Sequence, residues 1–192
     1  IRPPPRSTLF PYTTLFRSVA RSPYLVLWSR LGDYHPEWLD ELHAQGALFE
    51  YWSHAMCFLT IEDYPIYRVR MLDRDPKSSA PQKWALRFIR ENPEAIQKGR
   101  THLLKNGPVR SIEFKNKNRP AGGWWNWKEE KNALEALLFT GEVMIARRQN
   151  FQRVYDLSER VLPNWQDDNL PSSEELQRTL ALRTVQIGRA HV

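Results

Sequence analysis

The chain has 192 residues, with 28 Lys and Arg against 22 Asp and Glu, a net charge of +6. The single cysteine, Cys57, excludes an internal disulfide and fits a reducing compartment, and no apolar run approaches the roughly 20 residues that a membrane span needs. We therefore expect a cytoplasmic protein with one domain, or two small ones, each large enough for a proper core.

The two ends of the chain look like translated sequencing adapter rather than natural protein. Residues 1–18 contain the mirrored strings RSTLF and TLFRS and hold no acidic residue. A DNA that encodes Thr14 to Ser18 has a reverse complement that, in another frame, encodes Ile187 to Ala190. We therefore predict that 1–18 and 187–192 are adapter-derived tails, the first of them disordered.

Setting these ends aside changes the meaning of the net charge. Four arginines and no acids lie in them, so 24 basic and 22 acidic residues remain in the interior. The basic excess is concentrated in residues 99–153, which hold 11 basic and 5 acidic residues. The distribution of charge, rather than its total, therefore indicates a surface for an anionic partner.

The front of the interior is typical of the back part of a winged helix. In chain order we predict helices over 22–31 and 36–45, a hairpin of strands 48–52 and 56–59, and connecting helices over 62–72 and 82–91. Gly46 ends the second of these helices. We assign 19–72 to this incomplete unit with its connecting helix and 73–92 to the next connecting helix.

The following segment, 93–165, is predicted to be a complete winged helix. Asn92-Pro93-Glu94 is a typical helix start, with Asn as the cap and Pro at the first helical position. Further elements are a short helix over 111–114, a basic loop over 115–123, a helix over 127–140 and strands over 143–148 and 151–157. This order offers the third helix to the major groove and puts Arg147 and Arg148 on the wing.

The predicted fold class is thus mainly α with small β-hairpins (α+β), a tandem winged helix with an incomplete first unit. After an acidic loop, Ser173-Glu174-Glu175 starts a further helix, and we assign 166–186 to the start of a truncated helical segment.

One loop of the second unit interleaves cations with aromatic residues. Lys115, Lys117 and Arg119 precede the string GGWWNW. Lysine and arginine neutralise phosphates, and tryptophan faces stack on bases. We expect the tryptophans to belong mainly to the core and the cations, with the wing arginines, to contact DNA. The alternative is a solvated basic surface.

Chemistry-bearing residues elsewhere give weaker patterns. Cys57 with His43, His54 and His102 matches no structural zinc spacing, so no metal is predicted. The string EYWSH over 50–54 could line a pocket, or be a packed strand with a partly buried histidine. No phosphate-binding loop, nucleophile elbow or paired-carboxylate motif is present.

Five strings together resemble the YcaQ/AlkZ-type bacterial DNA glycosylases: VARSPYLVLWSRLG, EYWSH, GPVRS, GGWWNWK and NFQRVYDL. The resemblance covers essentially all of 19–186. It implies tandem winged helices with a further C-terminal β-rich region, and an enzyme that unhooks interstrand crosslinks by excising alkylated bases. It also implies damaged double-stranded DNA as the partner, no metal or cofactor, and a monomer in the bacterial cytoplasm, associated with the nucleoid through DNA.

The resemblance further implies that the catalytic motif is missing. In the family a glutamine, an aliphatic residue and an aspartate, or a second glutamine, lie shortly before the VARSPY string. Residues 14–18 stand there instead, and the interior contains no Gln-aliphatic-Asp. Without a carboxylate to stabilise the oxocarbenium-like sugar or position water, the rate falls by orders of magnitude. We therefore predict no catalytic residue, and an internal fragment that at most binds DNA.

The candidate binding residues are inferred from their positions in the predicted fold and in the strings that carry the resemblance. Those predicted to contact phosphates are Arg110, Ser111, Lys115, Lys117, Arg119, Lys128, Lys131, Arg147, Arg148 and Arg153, and those predicted to wall a lesion pocket are Tyr51 and His54. Two alternatives remain open. One is a winged-helix transcription regulator without enzymatic activity. The other is a non-functional remnant whose exposed apolar surface makes it poorly soluble.

Overall fold

The computed structural model describes residues 22–53, 55–74, 79–110, 113, 126–149 and 152–189. Over these residues the chain is mainly helical and carries two small antiparallel sheets, which confirms the predicted α+β class. No helix within the described ranges has the length and apolar character needed to cross a membrane. The predicted tail at 1–18 lies outside the described residues, as do residues 190–192 of the predicted tail at 187–192, whose first three residues belong to the helix Ser173–Arg189.

The described elements follow one another in the order expected from the sequence, with two additions, the strand Val109–Arg110 and the helix Ser158–Val161. The helices are α1 (Ser22–Leu31), α2 (Glu37–Ala44), α3 (Tyr64–Leu72), α4 (Ala80–Glu91), α5 (Pro93–Asn106), α6 (Asn126–Phe139), α7 (Ser158–Val161) and α8 (Ser173–Arg189). The strands are β1 (Leu48–Trp52), β2 (Met56–Thr60), β3 (Val109–Arg110), β4 (Val143–Gln149) and β5 (Gln152–Leu157). Single 3₁₀ turns lie at Ile61–Asp63 and Asp167–Asn169.

The first sheet is the predicted hairpin. Gly46, at φ +74°, turns the chain after α2, and β1 then pairs antiparallel with β2 from Leu48 opposite Thr60 to Trp52 opposite Met56. Period-2 alternation places Phe49 and Tyr51 on one face of β1 and Glu50 on the other, and all three are buried, so both faces of the middle of the strand are covered. The prediction of this hairpin is confirmed, with β2 one residue longer than expected.

The second sheet contains a strand that the sequence did not predict. β3 follows the turn at Gly107 and pairs with β5, so the sheet order is β3-β5-β4. Val109 of β3 is fully buried. Two residues are too short for any alternation to be read from sequence, which is why the strand was missed. Apart from Glu113, the predicted short helix and basic loop lie outside the described residues.

One apolar core joins the two sheets. Leu134 and Leu137 of α6 are fully buried and pack in the same cluster as Phe49 of β1, Tyr64 of α3 and Ile145 of β4. The predicted front and back units therefore share a core among the described residues. The boundaries drawn at 72, 92 and 165 stay predictions.

The predicted cap of α5 is wrong in its chemistry, although α5 begins at Pro93 as expected. The Asn92 side chain makes no capping hydrogen bond to α5. Its Nδ2 instead donates to the Phe88 carbonyl oxygen at 3.1 Å, so it closes the end of α4. The backbone oxygen of Asn92 still accepts from Ile96 N at 3.2 Å, so Asn92 ends α4 through its side chain and starts α5 through its main chain.

Large apolar side chains are exposed on the first two helices. Val26, Trp28 and Leu31 of α1, with Trp38 and Leu42 of α2, are all solvent-exposed. These two helices therefore present exposed apolar surface, and the poor solubility expected of a non-functional remnant stays a prediction.

Candidate functional site

A pocket of about 380 Å³ opens where the end of β1 meets α3, α4 and α6. Its described walls are Tyr51, Trp52, Ser53, Arg70, Asp73, Ser79, Pro81, Gln82 and Phe139. The volume lies within the range of small-ligand sites. The pocket is formed because the C-terminus of α3 and the N-terminus of α4 come together beside the aromatic end of the first hairpin.

The apolar wall of the pocket is aromatic. The rings of Tyr51 and Trp52 each contact that of Phe139 edge-on, with centroids 6.2 and 6.1 Å apart. The Tyr51 hydroxyl donates to the Phe139 carbonyl oxygen at 2.8 Å, which ties β1 to the end of α6. Burial raises the pKa of Tyr51, so the phenol stays protonated and keeps this bond at physiological pH.

The polar wall is held by Gln82. Its Nε2 donates to the carbonyl oxygens of Met71 at 3.1 Å and Asp73 at 3.2 Å, and its side chain is buried. This amide therefore fastens the start of α4 to the end of α3. Across the pocket, the Tyr67 hydroxyl donates to Ser53 Oγ at 2.9 Å, which leaves the Ser53 proton to be offered elsewhere.

A buried charge cluster lies beside the pocket and joins the two hairpins. The Glu50 carboxylate is 1 % exposed and accepts two hydrogen bonds from Arg148, both at 2.7 Å. Arg153 Nε lies 3.4 Å from the same carboxylate, and its Nη1 lies 3.6 Å from Glu135. Glu50 thus bridges strand β1 to both strands of the second hairpin.

The groups around this cluster are kept neutral. Burial raises the pKa of Tyr155 to about 12. Burial also lowers the pKa of His43, whose Nε2 lies 3.0 Å from the Ile145 carbonyl oxygen. The neutral His43 ring therefore donates its Nε2 proton to that carbonyl.

The predicted DNA-contact residues fall in three places. Arg147 is exposed near the end of β4, Lys131 is exposed on α6 and lies 4.0 Å from Glu135, and Arg110 pairs with Glu113. Arg148 and Arg153 belong to the buried charge cluster described above. The rest, Ser111, Lys115, Lys117 and Arg119 with the Lys128 side chain, lie outside the described residues. DNA contact by this set stays a prediction.

The two predicted lesion-pocket residues divide in the same way. Tyr51 does line the pocket, whereas His54 lies outside the described residues. The sequence reasoning missed Arg70, Gln82 and Phe139, the other walls that matter chemically. They come from segments up to 88 residues distant from Tyr51, so no local spacing connects them.

The described residues include no group of three or more His, Cys, Asp and Glu placed to hold a metal ion. Cys57 Sγ instead lies 3.8 Å from the Tyr51 carbonyl oxygen. Burial raises the pKa of the Cys57 thiol, which keeps it protonated and unreactive.

The family model described as DNA glycosylase AlkZ-like matches residues 11–187 of the chain. No solved structure matches it. The matched range begins inside the first predicted adapter segment and ends at the start of the second, so the origin of those segments stays a prediction.

Proposed function

The chain belongs to the AlkZ-like DNA glycosylase family, and from this we propose that it binds damaged duplex DNA and takes an extruded base into the pocket beside β1. Membership of this family implies that the substrate is DNA. We further propose alkylated and crosslinked bases as the lesions, a monomer as the binding species and the bacterial nucleoid as its location.

The pocket is the observation that carries this proposal. A base removed from the stack needs a cavity of this order with aromatic surface to replace the lost stacking and polar groups to hold its edge. Tyr51, Trp52 and Phe139 supply the aromatic surface, while Ser53 and Gln82 supply the polar atoms. His54, adjacent to Ser53 in sequence, completes the proposed wall.

We propose a winged helix for 93–165 as the element that positions this pocket on DNA. The order α5, β3, α6 and the β4–β5 hairpin supports it, since β3 adds the small third strand that packs a wing against its helices. In this arrangement α6 faces the major groove and the exposed Arg147 lies on the wing.

We propose that this chain binds without cleaving. The family's Gln-aliphatic-Asp motif occurs nowhere in the sequence. In the position before the VARSPY string stand residues 14–18, which supports an internal fragment of the enzyme. The carboxylate that the resemblance assigns to stabilising the sugar or positioning water is then missing from the chain.

The test is fluorescence anisotropy with three labelled duplexes: undamaged, carrying one alkylated base, and palindromic. We expect preference for the damaged duplex and no preference for the palindrome. Trp52→Ala removes a stacking surface worth roughly 1–3 kcal/mol, so it should reduce the preference about 5- to 150-fold. Trp38→Ala, at an exposed tryptophan of α2 away from the pocket, is the matched control.

The same titration separates this proposal from a transcription regulator. A regulator binds one operator, so a strong palindromic preference would favour it over a repair function. Equal binding to damaged and undamaged duplexes, with no effect of Trp52→Ala, would count against the base pocket.

A further inference from the structure

Helix α4 carries a basic face that lies outside the segment singled out by sequence. Lys83, Arg87 and Arg90 are all exposed, and their spacing of four and three residues puts them on one side of the helix. The opposite side is buried through Gln82 and Ala85. We call these three residues the α4 basic face.

The cations of this face form no ion pair with a described carboxylate, unlike about half of the arginines whose side chains the structure describes. Six described arginines pair with a carboxylate: Arg68, Arg100, Arg110, Arg148, Arg153 and Arg160. Glu91 follows Arg87 at i,i+4, the less favourable order for a helical ion pair, and no ion pair joins them among the described contacts. The charge of the α4 basic face is therefore available to an external anion.

The α4 basic face begins at the pocket. Ser79, Pro81 and Gln82 line the pocket, and Lys83 follows directly. Arg70 itself lines the pocket and is exposed, with its guanidinium 5.3 Å above the Tyr67 ring. No described carboxylate forms an ion pair with Arg70. Asp73 is the one acid in the described wall, so cations dominate the route from the pocket along α4.

We infer that the α4 basic face, with Arg70 at the pocket mouth, binds the phosphates of the DNA strand whose base enters the pocket. This inference rests on the proposed function. Seven residues of helix separate Lys83 from Arg90, about 10 Å, which corresponds to about three nucleotide steps of one strand at roughly 3.4 Å of duplex axis per step. A helix face that contacts only solvent would not need three charges of the same sign, and it would not need to lie beside the pocket.

The test compares the full chain with the triple variant Lys83→Gln/Arg87→Gln/Arg90→Gln in duplex binding at several salt concentrations. Each phosphate contact contributes about 0.9 to the slope of log affinity against log salt, so the slope should fall by about 2.7. If the plots of log affinity against log salt for the two proteins meet near 1 M salt, the triple variant binds DNA roughly 500-fold more weakly than the full chain at 0.1 M salt. Arg70→Gln alone should lower the slope by about 0.9.

The matched control is Arg30→Gln/Lys105→Gln/Arg178→Gln, which removes the same charges from exposed positions of α1, α5 and α8. This control variant should retain most of the slope of log affinity against log salt. Circular dichroism should show that both triple variants are folded. Arg87→Lys/Arg90→Lys should retain the slope, since phosphate attraction needs the charge more than the guanidinium shape.

Three outcomes would overturn the inference. Equal losses of DNA affinity and of salt slope in the two triple variants would show that only the net charge of the protein matters. An unchanged slope in the α4 variant, with tight wild-type binding, would place the phosphates elsewhere and leave the proposed function standing. If poly-glutamate of matched charge competes as well as DNA, the face binds polyanions in general. Absence of DNA binding by the wild-type chain would instead remove the proposed function.

Discussion

Replacing Glu50 by Gln should destabilise the protein far more than the same change at an exposed ion pair. Glu50 is 1 % exposed and Arg148 only 8 %, and two hydrogen bonds of 2.7 Å join them. The variant removes the negative charge while Arg148 and Arg153 stay buried beside the site. An uncompensated buried charge costs about 3–5 kcal/mol, and Arg153 retains Glu135 at 3.6 Å as a partial partner.

The structure provides a matched control in Arg100 and Glu142. This pair has the same two-bond geometry, at 2.7 and 2.8 Å, but its side chains are 36 % and 39 % exposed. Because water solvates both charges, Glu142→Gln should cost about 0–1 kcal/mol. The two ion pairs share their geometry and differ in burial. The difference between the losses of unfolding free energy in the two variants therefore measures the effect of burial.

Urea unfolding followed by far-ultraviolet circular dichroism measures both free energies of unfolding, provided the transition slope is unchanged. The double variant Glu50→Gln/Arg148→Met should recover part of the loss, since it removes the orphaned guanidinium and keeps an apolar stem in place. Equal costs for Glu50→Gln and Glu142→Gln, or a double variant less stable than the sum of its parts, would refute the reasoning.

Three further predictions concern pH, backbone strain and surface. Because burial lowers the pKa of His43 below its ordinary 6.5, the unfolded chain binds the proton more readily. The free energy of unfolding should then fall as pH drops below about 6.5, and His43→Gln should flatten that decline in urea titrations. Gly141→Ala should cost about 2–4 kcal/mol in the same assay, since φ is +71° and a Cβ would clash with Arg68 Nη1 and lie 2.8 Å from Sδ of the buried Met71. Gly46→Ala, at φ +74° in open space, should cost only about 1 kcal/mol, and equal costs would contradict the steric account. Trp28→Lys on α1 should lower the fluorescence of an apolar dye bound to the native chain, whereas unchanged dye binding would mean that this surface is covered.

The helices and strands with a strong apolar periodicity could be predicted from the sequence. The short strand, the pocket and the helix cap could not. Helix α6 and the β1–β2 hairpin follow from apolar spacing with glycine at their ends, because those patterns are local. β3 escaped because two residues carry no pattern, and the pocket escaped because its walls come from four separate segments. The Asn92 side-chain cap was predicted wrongly because the sequence does not show that its amide turns back to the Phe88 carbonyl oxygen of the preceding helix.

The arginines at the end of β4 show a subtler limit. Strict alternation from the buried Ile145 would turn Arg147 inward and Arg148 outward. The register shifts between Ile145 and Arg147, so one extra residue inverts the alternation beyond it. Arg148 therefore meets Glu50 while Arg147 faces solvent. A bulge without a glycine marker cannot be read from sequence, so composition alone could not separate the two neighbours.

The measurement that tests the central claim most directly is base release under single-turnover conditions. The full chain is mixed in excess with a duplex carrying one alkylated base, and abasic sites are detected by alkaline strand cleavage while anisotropy reports binding on the same samples. We predict saturable binding with release no faster than in protein-free duplex. Enzyme-dependent release that Trp52→Ala slows would contradict the claim that this chain binds without cleaving, and would place a catalytic group outside the Gln-aliphatic-Asp motif.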